Sequence, residues 1–260
     1  MLLCWIVFKK IRKNMKIALI GYGKMGKLIE EMALKLNHEI VAIIDSNGKT
    51  QGITLENLKK ADVCIDFSSP KNFIENIKTL SYLNQTVIAG TTGWYSEMDL
   101  VKQLVSDHKI GFLYAANFSI GVNIFLKIVN EAATLINQFD VYDTSGFEIH
   151  HNQKQDSPSG TAKSIVHALL DRIDKKEHIT YNLADRKIEP NELHYTSIRS
   201  GSNPGEHHVI FDSPADTISI THQARNREGF ARGAILASEW LLGKKGFYTI
   251  NDYLESGSHV

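Results

Sequence analysis

A glycine pattern set between an apolar run and a helical one constrains this chain more than any other feature. Residues 16–20 (KIALI) are mostly apolar, and Gly21-Tyr22-Gly23-Lys24-Met25-Gly26 follows at once. Met25, Leu28, Ile29, Met32 and Leu36 then recur at the spacing of one helix face. A strand, a tight glycine turn and a helix in that order open a dinucleotide-binding unit. The first glycine permits the turn, the second lets a pyrophosphate reach the backbone, and the third lets helix and strand pack closely. The pyrophosphate would rest on N–H groups at the helix N-terminus. Asp45 ends a second apolar run, 39–45 (EIVAIID). It lies about 20 residues past Gly26, where an acid bonds ribose hydroxyls. Gly21, Tyr22, Gly23, Lys24, Met25, Gly26 and Asp45 are therefore expected cofactor contacts. A carboxylate at Asp45 repels the extra phosphate of NADP, and Ser46 brings no positive charge. NADH is thus favoured over NADPH, although Lys24 acts in the opposite direction.

Further strand-like runs at 62–67, 86–89 and 111–114 alternate with helical patterns, the first opened by Ser68-Ser69-Pro70 and the second over 98–105. Strands alternating with helices imply a doubly wound parallel sheet. The character changes after Asn117. A long helical pattern covers 120–138, and longer strands are expected at 141–150, 193–199, 208–212 and 217–222. The last two are joined by a Ser213-Pro214-Ala215-Asp216 turn. The fold class expected is α/β, a Rossmann-like sheet plus a second α+β domain with a mixed or antiparallel sheet. Residues 15–118 would be the dinucleotide-binding domain and 119–228 the substrate-binding and oligomerisation domain. Residues 229–260, with a helix at 230–242, would return to the first. The polar stretch 174–191 reads as a long, featureless loop.

At 260 residues, one large or two modest domains are expected. Lys and Arg balance Asp and Glu at 29 each, which gives no pull toward a nucleic-acid backbone. Residues 2–8 are apolar, far short of the about 20 needed to span a membrane. Basic residues follow that run instead of preceding it, the wrong order for an export signal. Residues 1–14 are read as an extension outside the fold, upstream of Met15. Two cysteines, Cys4 and Cys64, cannot build a disulfide framework, which suits the cytoplasm.

The stretch Glu148-Ile149-His150-His151-Asn152-Gln153-Lys154-Gln155-Asp156-Ser157-Pro158-Ser159-Gly160-Thr161 is the richest in chemistry. Two histidines and a lysine stand just past a strand, and a helical run follows Thr161. Histidine serves as an acid or base near neutral pH. Lysine donates a proton or neutralises a carboxylate. The helix start at Gly160 and Thr161 offers donors to an anion. A small anionic substrate that gains a hydride and a proton fits this set. The histidine spacing lacks the helical pair or cysteine partners of a zinc site, so no metal is expected.

These residues resemble the HHxxKxDxPSGT signature of the dihydrodipicolinate reductases, now called 4-hydroxy-tetrahydrodipicolinate reductases. Ile65-Asp66-Phe67-Ser68 with Pro70, Gly90-Thr91-Thr92-Gly93 and Ala115-Ala116-Asn117-Phe118-Ser119 with Gly121-Val122-Asn123 resemble further family motifs. So do Gly205-Glu206-His207 and Ile220-Thr221-His222. The resemblance implies nicotinamide contacts from Gly90, Thr91, Thr92, Ala115, Ala116, Asn117 and Phe118, with Asn117 and Phe118 near a hinge. It implies His150 as acid/base residue, Lys154 as proton donor, and His151, Gly160 and Thr161 on the carboxylates of a cyclic dicarboxylate. It also implies a homotetramer, and reduction of the substrate with loss of water to tetrahydrodipicolinate in lysine and diaminopimelate synthesis. Many members carry a longer glycine loop and an Arg where Ser46 stands, and 47–60 looks compressed. These departures bear on cofactor preference. The rivals are a same-fold reductase of another imine or aldehyde acid, and a nicotinamide-binding sensor.

Overall fold

A computed structural model describes residues 14–45, 52–181 and 186–257. Ser46 and most of the expected 1–14 extension lie outside these residues. Contacts divide the chain into two units: one runs to Phe118 and resumes at Ala231, and the other is Ser119–Phe230.

The first unit is built on six parallel strands: β1 (Lys16–Ile20), β2 (Glu39–Ile44), β3 (Val63–Asp66), β4 (Val87–Ala89), β5 (Gly111–Tyr114) and β11 (Gly246–Thr249). Their order is β11-β5-β4-β3-β1-β2. β1, β3 and β4 are almost wholly buried along their length, the pattern of a parallel sheet covered on both faces. Helices α1 (Lys24–Lys35), α3 (Pro70–Tyr82) and α4 (Met98–Asp107) follow β1, β3 and β4. α3 starts where expected, with Ser69 at the cap and Pro70 in the first turn, and buries Phe73, Ile77 and Leu80. Because β2 and β3 leave β1 on opposite sides, the sheet has a topological switch point between β1 and β3, where ligands bind in such sheets.

The second unit carries α5 (Ile120–Ile136), β6 (Asp143–His150), α6 (Gly160–Leu170), β7 (His178–Thr180), β8 (Glu192–Arg199), β9 (Glu206–Asp212) and β10 (Thr217–Gln223). The sheet order is β10-β9-β6-β8-β7, antiparallel at β10-β9-β6 and parallel at β6-β8-β7. It is therefore mixed, as expected. Along β6, Thr144, Gly146, Glu148 and His150 are buried while the alternate residues are half-buried or exposed. The buried side packs with Phe125, Val129, Ile165 and Leu169 of α5 and α6.

The expectation of a featureless loop over 174–191 needs correction. β7 lies inside it and pairs with β8, His178 opposite Glu192. The buried Lys176 ammonium donates to the carbonyls of Pro190 and Glu192 at 2.9 and 2.8 Å and pairs with Asp143 at 2.6 Å. Three residues are too few to show a period, so the strand depends on its neighbour. Among the described residues, α2 (Leu55–Leu58), a 3-10 turn (Tyr95–Glu97), β11 and α8 (Ile250–Glu255) were also not foreseen, whereas α7 (Glu228–Leu241) covers the helix expected at 230–242.

Candidate active site

All expected cofactor contacts fall in the first unit, at or just past the carboxyl ends of β1, β2, β4 and β5. Gly21 adopts a left-handed φ of +87°, and a Cβ there would lie 2.5 Å from the Phe67 carbonyl oxygen after β3. A Cβ on Gly26 would lie 2.5 Å from the Gly21 carbonyl oxygen, so α1 can sit on its strand only without that carbon. A Cβ on Gly23 would meet no protein atom within 4 Å. The fold thus accounts for the first and third glycines but not the second. A bare backbone at Gly23 fits a pyrophosphate on the α1 N-terminus. Tyr22 bonds Glu30 through its hydroxyl, Lys24 is exposed as the first residue of α1, and Met25 and Asp45 are half-buried.

A second layer fixes the loops after β3 and β4. The buried Asp66 accepts hydrogen bonds from Thr91 Oγ1 at 2.6 Å, Ser68 N at 3.0 Å, Ser68 Oγ at 2.7 Å and Asn76 Nδ2 at 3.0 Å. Burial pushes its carboxyl above the usual range, against the pull of these donors. Trp94 Nε1 holds the Thr91 carbonyl at 2.7 Å. Gly90 packs so closely on the Phe67 ring that a Cβ would lie 2.1 Å from it. Thr92 and Ala116 are exposed, Asn117 is half-buried, and Ala115 and Phe118 are buried, with Phe118 against Phe67. Asp66 was not singled out for a role from sequence. Its signal was a carboxylate at the end of an otherwise apolar strand.

The second unit gathers the acid–base candidates at the end of β6. Lys154 Nζ pairs with Asp156 Oδ1 at 2.6 Å. Arg199 Nη2 donates to the Asp156 carbonyl at 2.6 Å and to Glu148 Oε1 at 3.0 Å. Glu148 Oε1 also accepts from Ser197 Oγ at 2.8 Å and from the backbone N of Ser159 at 3.0 Å. Glu148 Oε2 lies 3.4 Å from His150 Nδ1 and 3.9 Å from His207 Nδ1. Burial alone would raise the Glu148 carboxyl, but Ser159, Ser197 and Arg199 outweigh it and hold it below its ordinary range. Burial pushes His150 down, opposed by Glu148 and reinforced by Lys154 and Arg199. Ser159 caps α6, accepting from Ala162 N at 3.1 Å, so Gly160 and Thr161 open the helix beside this cluster. His151 is half-buried, and its carbonyl accepts from Lys154 N at 3.1 Å.

Glu148, His150 and His207 could offer three metal-ligand atoms within 4.8 Å of one another. The Arg199 guanidinium already meets the carboxylate charge there. His207 and Arg199 were missed as site members from sequence because strand pairing, not spacing, brings them in. Glu148 carried a readable signal, standing two residues before His150 on one strand and so on the same face.

Profiles for "Dihydrodipicolinate reductase, N-terminus" and "Dihydrodipicolinate reductase, C-terminus" match residues 15–118 and 121–254. The chain belongs to the dihydrodipicolinate reductase family. This bears out the resemblance read from the motifs. A 4-hydroxy-tetrahydrodipicolinate reductase of Christiangramia forsetii is 38% identical over 240 residues, covering 92% of this chain and 98% of that one. One of Staphylococcus aureus is 36% identical over 248 residues, covering 92% of this chain and all of its own. Among solved structures, dipicolinate-bound dihydrodipicolinate reductase from Paenisporosarcina sp. TG-14 matches with a TM-score of 0.74 at 22% identity, covering 92% and 99% of the two chains. An amine dehydrogenase from Mycobacterium smegmatis shares the fold at a TM-score of 0.58 and 7% identity, covering 92% and 96%.

Proposed function

We propose that this member of the dihydrodipicolinate reductase family reduces 4-hydroxy-tetrahydrodipicolinate to tetrahydrodipicolinate with NADH or NADPH, NADH being favoured, in lysine and diaminopimelate synthesis. The observation that carries this reading is the gathering of His150 and the first turn of α6 around the buried Glu148, with Lys154 paired to Asp156 on the loop between them. A reduced nicotinamide, held by Gly21 to Gly26, Asp45, Gly90 to Thr92 and Ala115 to Phe118, supplies a hydride when bound. Lys154 carries the proton that the reduced substrate takes up, its ammonium keeping N–H groups beyond the one on Asp156. His150 serves as the acid/base partner. His151 and the first-turn donors at Gly160 and Thr161 hold the two carboxylates.

Assembly as a homotetramer in the cytoplasm belongs to the same proposal. It is supported by the face of the second sheet opposite Glu148, where Phe147, Ile149 and Ile210 are only half-buried and Ile198 is exposed. Among the described residues, no helix is long and apolar enough to cross a membrane. The test is oxidation of NADH, followed by its absorbance. The substrate is generated in place from pyruvate and aspartate semialdehyde by the synthase that makes it. Turnover that depends on the synthase is expected. Cofactor binding without turnover would instead point to a reductase of another imine or aldehyde acid.

A further inference from the structure

Strand register places His222, His207, Glu148 and Ser197 in one row across β10, β9, β6 and β8. Glu148 stands at the centre of that row, fully buried. Its two oxygens are used differently. Oε1 is saturated by Ser159 N, Ser197 Oγ and Arg199 Nη2. Oε2 and His150 Nδ1 are both buried, have no hydrogen-bond partner, and lie 3.4 Å apart. A simple counterion for Arg199 would not need that second oxygen aimed at an imidazole. On the far side of the ring, His150 Nε2 faces Gly205, whose φ is +144° and whose absent Cβ would come within 2.9 Å of that nitrogen. The ring thus faces a carboxylate at Nδ1 and a glycine at Nε2.

We infer that Glu148 is a positioning residue that keeps the proton of His150 on Nδ1, leaves Nε2 to act as the acid/base atom, and locks this ring to the start of α6 through Ser159. The inference rests on the proposed role of His150. One carboxylate thereby couples two jobs, since any movement of the acid/base ring moves the turn that grips the substrate's carboxylates. A carboxylate behind an imidazole fixes tautomer and orientation and favours the protonated ring. The charged and titratable groups facing this pair are Lys154 and Asp156 from the loop, Arg199 and Tyr195 from β8 and His207 from β9, with His222 of β10 beyond His207. With Glu148 neutralised, Arg199 and Lys154 remain, so His150 would hold its proton less tightly.

The test compares wild type, Glu148→Gln, Glu148→Asp and His150→Gln by kcat and KM for the in-place substrate across pH. Nitrogen NMR of the histidines is recorded alongside. Glu148→Gln is expected to move the limb belonging to His150 to lower pH by about one unit. It should lower kcat roughly 10- to 100-fold, within the range of acid–base assistance, and raise KM as the α6 turn loosens. Glu148→Asp should bring the limb most of the way back. In wild type, NMR should show His150 protonated at Nδ1 when neutral. A uniform loss of kcat in Glu148→Gln with an unmoved limb would overturn the inference, as would an Nε2-protonated His150 in wild type. The wild-type spectrum decides even if the variants fail to fold. Wild-type kcat in His150→Gln would sink the acid/base role of His150 instead. The two failures are distinguishable because the tautomer is read without turnover.

Discussion

The two units build their sites from opposite materials. In the first, the carboxyl ends of the parallel strands are shaped by what side chains leave out: Gly21, Gly26 and Gly90 sit where a Cβ would strike Phe67 or the Gly21 carbonyl. In the second, the end of β6 is crowded with ionisable groups, from Lys154 and Asp156 through Arg199 to Glu148, His150 and His207. A glycine cradle binds by backbone donors and shape, and its charge state changes little with pH. A buried ionic cluster works by proton affinity, and each member depends on the others. Damage to the first should therefore appear as lost affinity or stability, and damage to the second as lost rate and a changed pH profile.

The largest effect expected on this contrast is Lys154→Ala, which should lower kcat roughly 100- to 10,000-fold while leaving NADH affinity within about twofold. Steady-state kinetics and cofactor titration check it. Unchanged kcat would remove the proton-donor role. Next come two glycines that should fail differently. Gly23→Ala meets no protein atom, so its Tm should stay within about 2 °C while NADH binding weakens at least about tenfold. Gly26→Ala must push α1 off its strand, costing about 1–3 kcal/mol and several degrees of Tm. Equal Tm losses in both would erase the distinction between a ligand-facing glycine and a packing one.

Cofactor preference sharpens the comparison inside the first unit. With Asp45 past the end of β2, kcat/KM should favour NADH over NADPH, and a tenfold advantage for NADPH would defeat the charge argument. The smallest effect concerns His207, whose proton affinity burial depresses despite the nearby Glu148. Because the folded state resists protonating it, its contribution to stability is intact above the unfolded pKa of about 6.5 and is lost as pH falls below that value. His207→Gln should therefore lose less Tm than wild type between neutral pH and mildly acidic pH, by a few degrees. Parallel melting curves would show that His207 does not carry that penalty.

Much of the first unit was legible because its signals are local. A glycine turn, a helix start at Pro70 and an acid after a buried strand depend on a few neighbouring residues and on backbone sterics. The mixed sheet of the second unit was foreseen from its longer alternating runs. β7 and β11 were not. His178–Thr180 and Gly246–Thr249 are too short to show a period and become strands by pairing with β8 and β5. The candidate site followed the same rule. His150, His151, Lys154, Gly160 and Thr161 lie within one short stretch, and their residue types announce proton transfer and anion binding.

The sequence by itself determined the family, the glycine turn and the residues offered for chemistry, since each is written in contiguous residues. Only the tertiary structure decided that Glu148 faces His150, that Arg199 and His207 join them, and that Gly205 leaves room at Nε2. Arg199 and Glu148 are 51 positions apart, and pairing along β6, β8 and β9 brings them together. The physical reason is register. A strand shifted by one residue would turn Glu148 away from the buried side and scatter the cluster, and register is set by packing across the whole sheet.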